Sequence, residues 1–161
     1  MLQVRNSIFE TNSSSTHSLS LRKKEIKKLT KEEIKESLNC FLTKDNYIKV
    51  DLGEYNCGWD ILENPAQKLK YILTKGVYSN GPLDYYMCTD EFYKLETFIK
   101  NLGYEGIEID DSNDYYIDHQ SAYNTFDEDI IEIITNPNYV IVIGNDNSYA
   151  PEFIKKIVDI E

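Results

Sequence analysis

The chain has 161 residues, 41% of them apolar, with only seven glycines and four prolines, enough apolar material for one core and too little Gly and Pro for a disordered or fibrous chain. The net charge of −11 opposes direct nucleic-acid binding over most of the surface. No apolar run approaches the ~20 residues of a membrane helix, and the opening MLQVRNSIFE lacks the apolar stretch of a signal peptide.

Residues 2–9 read as an opening strand, with Leu2, Val4 and Ile8 as its apolar positions. A polar turn is expected from Thr11 to Thr16. Leu19 and Leu21 alternate with Ser18, Ser20 and Arg22, the pattern of a second strand. After the basic run Lys23 to Lys28, Thr30 and Glu33 form a capping box, which predicts a helix to about Asn39. Tyr47 to Leu52 alternates as a strand. Asn64 and Pro65 are N-cap and N1 residues for a helix bearing Leu69, Ile72 and Leu73 on one face, with Gly76 as its expected stop. Residues 77–88 read as irregular. Thr89 or Asp90 opens a helix with Phe92, Leu95, Phe98 and Ile99 at helical spacing, ended by Gly103. Tyr104 to Asp110 and Tyr115 to Ile117, with a turn between them, predict a hairpin. Asp127 to Thr135 reads as a helix, Tyr139 to Ile143 as a buried strand, Gly144 to Ser148 as a loop, and Pro151 as the start of a last short helix.

Strands and helices do not alternate in strict βαβ order. The expected fold is therefore α+β, one domain over residues 1–161, with a small, mainly antiparallel or mixed sheet packed against four to five helices. Cys40, Cys57 and Cys88 are odd in number and form no CxxC, which fits reduced thiols in a cytoplasm. Charge is uneven: residues 1–50 carry 10 Lys/Arg against 6 Asp/Glu, and residues 51–161 carry 7 against 22. Tyrosine supplies 13 aromatic residues against six Phe and one Trp, favouring half-buried sheet surfaces and recognition patches.

Two segments concentrate candidate chemistry. In the first, Asn12, Ser13, Ser14, Ser15, Thr16 and Ser18 surround His17; hydroxyls and turn amides can cradle a phosphate, and a histidine beside them can move a proton. The spacing is not that of a P-loop. The second holds the only other histidine: Asp118, His119, Gln120 and Ser121. His119-Gln120-Ser121 fits the H-x-[ST] half-motif of two-histidine phosphoesterases, but His17 is followed by Ser18 and Leu19, so the other half is missing. The acidic stretch Glu108, Asp110, Asp111 and Asp114 could hold Mg²⁺ or Mn²⁺, or could be a solvated edge strand. Asp146 lies in an Asn- and Asp-rich loop, where Asx turns explain the same composition. Trp59, in Cys57-Gly58-Trp59-Asp60, reads as packing.

The opening from Val4 to Ser18, VRNSIFETNSSSTHS, resembles an N-terminal signature, R-x-x-[VI]-F-E-T-N-S-S-S-T-H-S, that recurs in a group of proteins from tailed phages and low-GC bacteria. Gly58-Trp59, Lys68 to Tyr71, Ile117 to Ser121 and Gly144 to Asn147 also look like blocks of that group. The resemblance implies a phage or mobile-element origin and carries no activity with it. Two readings follow. In one, a nucleotide or phosphoester is bound, with or without hydrolysis: Ser13 to Thr16 contact phosphate, His17 or His119 supplies acid–base function, and Asp118 or Asp146 orients a histidine or a metal. In the other, the chain is an acidic, non-enzymatic inhibitor of the counter-defence or host-takeover type that binds a host protein, with nucleic-acid mimicry as one way to do so.

Overall fold

The computed structural model describes residues 15–22, 24–55, 59–117 and 129–145, together with Glu152. The described elements are β1 (Ser15–Leu21), α1 (Lys31–Leu38), β2 (Ile48–Asp51), β3 (Glu54–Tyr55), β4 (Asp60–Leu62), α2 (Pro65–Asn80), α3 (Leu83–Tyr86), α4 (Asp90–Leu102), β5 (Ile107–Asp110), β6 (Tyr116–Ile117), α5 (Ile130–Thr135) and β7 (Tyr139–Asn145). A 3-10 turn at Asn39–Phe41 follows α1. The class is α+β. The strand expected over 2–9 lies outside the described residues, and of the helix expected after Pro151 only Glu152, which is helical, is described.

Local chemistry sets the helix starts. Thr30 Oγ1 accepts from Glu33 N at 3.2 Å while the Glu33 carboxylate accepts from Thr30 N at 2.7 Å, the reciprocal pair that opens α1. Asn64 Oδ1 accepts from Gln67 N at 2.9 Å, and Pro65 fills N1 of α2, where no N–H is needed. Thr89 Oγ1 accepts from Phe92 N at 3.2 Å to start α4, and Gly103 ends it at φ 100°, a left-handed conformation that costs glycine nothing.

Two expectations fail around α2. The helix does not stop at Gly76 but runs to Asn80, and residues 77–88 are not irregular, because they hold its last turn and α3. Gly76 is buried in mid-helix, and a Cβ there would collide with the ring of Tyr86, itself fully buried. The glycine serves packing between α2 and α3 rather than termination.

The predicted hairpin over 104–118 does not form. β5 pairs with β2 and β6 with β3, both in parallel, at registers Ile48↔Ile107 and Tyr55↔Ile117. Parallel partners need a long crossover, and α2, α3 and α4 supply it. The antiparallel sheet has the order β1-β7-β4. Its middle strand is buried on both faces: Val140, Ile141, Val142 and Ile143 are at most 4% exposed. Ser15, Thr16, Gly144 and Asn145, expected in turns or loops, belong to β1 and β7 because each strand offers the other a seven-residue partner.

All these elements share one core, with Leu69 and Leu73 of α2 fully buried near its centre. Lys68 of the same helix is also fully buried. Its Nζ donates to the carbonyl of Asn136 at 3.0 Å, closing the C-terminus of α5 at the turn leading into β7. Burial pushes its ammonium down to about 8; the nearby Arg22 charge adds to the shift and Glu63 opposes it.

Candidate functional site

The first histidine segment lies along β7. Ser15 partners Asn145, Thr16 partners Gly144, His17 partners Ile143 and Ser18 partners Val142. On the other side of β7, Asp60 partners the same Ile143. His17 and Asp60 therefore share one register row. Strands lie ~4.8 Å apart, which puts two strand spacings, ~10 Å, between those positions. Trp59 precedes Asp60, and its ring lies against Gly144, where any Cβ would overlap it. The packing reading of Trp59 thus has a specific partner.

The second histidine segment is approached through the parallel pair. Ile117 partners Tyr55, and Tyr116 N donates to the carbonyl of Gly53 at 3.2 Å. Tyr55 meets Tyr71 edge to face at 5.0 Å. Its phenol is pushed above the usual range, first by burial and then by the charge of Asp60. Asp60 is exposed and accepts from its own neighbour, Ile61 N, at 2.8 Å. One acidic residue thus stands in the His17 row and also acts on the strand that pairs with Ile117.

Of the candidate residues, Ser15, Thr16, His17 and Ser18 are placed in β1. Asn12, Ser13, Ser14, Asp118, His119, Gln120, Ser121 and Asp146 lie outside the described residues. Asp60 and Tyr55 were not among the candidates. Asp60 was visible only as the residue after Trp59, because β4 has three residues and β3 two, too short for a periodic signal.

Electrostatics narrow the choices. Arg22, at the start of the basic run, lies beyond the end of β1 opposite Ser15. Arg22 is bonded to Glu63 at 2.7 Å and Lys28 to Glu132 at 2.9 Å. In the acidic stretch, Asp110 accepts from Ser112 N at 3.0 Å and from Lys49 Nζ at 2.9 Å. The Ser112 hydroxyl and amide and the Lys49 ammonium hold its carboxyl well below the usual carboxylate range. Its oxygens are engaged in an Asx turn and an ion pair. Among the described residues, no group of three or more His, Cys, Asp or Glu is arranged to hold a metal ion, and no helix is long and apolar enough to cross a membrane.

No family model, no curated protein and no solved structure matches the chain.

Proposed function

We propose that the chain binds a nucleotide or small phosphoester at the end of the antiparallel sheet, between the His17 and His119 segments. The setting is that of a phage or mobile-element accessory protein, as the resemblance of the opening implies. The register carries this reading: the row that contains His17 ends at Asp60, Asp60 acts on Tyr55, and the partner of Tyr55 stands two residues before His119. Hydroxyls of Ser13 to Thr16 supply the phosphate contacts. His17 and His119 are the acid–base groups, and Asp118 or Asp146 orients one of them. The chain is acidic, and Arg22 and Lys28 are paired with Glu63 and Glu132, so the ligand enters as its Mg²⁺ or Mn²⁺ complex, with part of its charge already neutralised.

Trp59 is the only tryptophan and packs on Gly144, the residue after Ile143 and on the other face of β7, so its fluorescence reports on the sheet end indirectly, through the strand. Titration with mono-, di- and cyclic nucleotides, each with and without Mg²⁺ or Mn²⁺, is expected to change its emission for one ligand class in the presence of metal. At a hundredfold excess over Kd the same ligand adds ~2.7 kcal/mol to stability, several degrees in Tm. Both responses disappear in His17→Ala. A flat response in fluorescence and melting across the whole panel overturns the proposal.

A further inference from the structure

A second surface lies on different strands and does not depend on the nucleotide reading. In the β2–β5 pair, Ile48 N donates to Gly106 O and Leu52 N donates to Asp110 O. A parallel ladder alternates, so the backbone groups of residues 106, 108 and 110 face β2. Those of Ile107, Ile109 and Asp111 face the other way. Among the described residues no strand lies on that side. An open groove of about 430 Å³ is lined by residues 107–111, by Lys49 of β2 and by Leu83 and Met87 at α3. Met87 is 45% exposed, and Tyr85, two residues before it, is 69% exposed. Methionine and tyrosine are side chains that adaptable interfaces favour.

The groove has a charge as well as a shape. Glu108, Asp110 and Asp111 line it against a single cation, Lys49, which is already bonded to Asp110. A second copy of this chain, at −11, is repelled. The longer segments outside the described residues are each neutral or acidic overall: residues 1–14 carry one Arg and one Glu, residues 118–128 carry three acids and no Lys or Arg, and residues 146–161 carry two Lys against four acids. We propose that the outer edge of β5 receives an extended, lysine- or arginine-bearing segment of another protein as an added strand. Backbone hydrogen bonds to Ile107 and Ile109 provide the docking, Leu83 and Met87 accept an apolar side chain, and Glu108 and Asp111 select basic neighbours.

The test uses the full chain labelled with ¹⁵N and a capped seven-residue peptide that alternates Lys and Val. Amide shifts are expected to concentrate at residues 107–111 and 83–87. Binding is expected to weaken at least about tenfold when alternate peptide nitrogens are methylated, and again in a Glu108→Lys, Asp111→Lys double variant whose Tm matches the parent. A peptide that binds equally well when methylated shows charge attraction without strand addition and overturns the proposal. So does the absence of any shift. Slow hydrogen exchange at Ile107 and Ile109 in the free protein also overturns it, because the edge is then covered by the chain itself.

Discussion

The antiparallel sheet β1-β7-β4 and the parallel ribbon of β2 and β3 against β5 and β6 bury apolar surface in different ways. β7 has a partner on each side, and four consecutive residues on it are buried on both faces. The ribbon pairs four residues and then two, interrupted on one strand by residues 52–53 and on the other by residues 111–115. One face of it, with Ile48, Val50 and Ile107, is buried, while Lys49, Asp51 and Glu108 on the other are exposed. A strand covered on both sides concentrates stability in a few side chains. A half-covered ribbon spreads it thinly.

Matched truncations measure that difference. Ile141→Ala in β7 is expected to cost about 3–4 kcal/mol, the range for emptying a fully buried site. Ile109→Ala in β5, which is only partly buried, is expected to cost about 1 kcal/mol. Urea midpoints at constant m-value decide it, and equal losses would erase the distinction. Gly144→Ala sharpens it from the other direction. The added methyl meets the Trp59 ring, so a loss of about 2 kcal/mol from overpacking is expected, with a shifted Trp59 emission as the local readout.

Buried lysines and tyrosines act at the alkaline end of the pH scale, and Asp110 of the ribbon acts at the acid end. Lys68 anchors the turn into β7 and releases its proton at about 8, whereas a lysine in the unfolded chain holds it to ~10.4. The unfolded state binds more protons between those values, so stability rises with pH above about 8. Lys75, also pushed down to about 8 by burial, acts in the same sense, so Lys68→Met should remove part of the rise and leave the rest. Above ~10 the slope reverses: Tyr55, Tyr71 and Tyr86 keep their protons through burial when the unfolded chain has lost its own. In acid the ribbon yields instead. Asp110 is held below its ordinary value, so its contribution is present above ~3.9 and is lost as pH falls below it. Asp110→Asn should flatten that acid limb. The effect is the smallest of the set, because the pair with Lys49 is solvent-accessible.

What could be read from the sequence follows the range of the interaction. Thr30, Asn64 and Thr89 announce their helices because a cap bonds to an amide two or three residues on. β7 announces itself by its β-branched run. Gly76 misleads because its reason is a ring ten residues further along the chain. The parallel partners of β5 and β6 mislead because adjacency in sequence favours a hairpin, and only the helical crossover makes the alternative possible. The same limit applies to the site. The hydroxyl and histidine composition around His17 is plain in the sequence, whereas Asp60 and Tyr55 reach it only through cross-strand register.

The order of β7 in the chain has a consequence for biosynthesis. Among the described strands it is the middle one of its sheet, yet β1 waits more than 100 residues for it and β4 waits through α2 to α5. During translation β1 and β4 emerge before β7, the strand that joins them, while the helices α1 to α4, whose contacts are more local, can already associate. The antiparallel sheet, and any function built on its end, assembles only once residues 139–145 have cleared the ribosome. Such distant pairing slows folding and leaves apolar strands unpaired in the interim. The short length of β4 and the Ser- and Thr-rich first half of β1 limit what those unpaired strands could stick to.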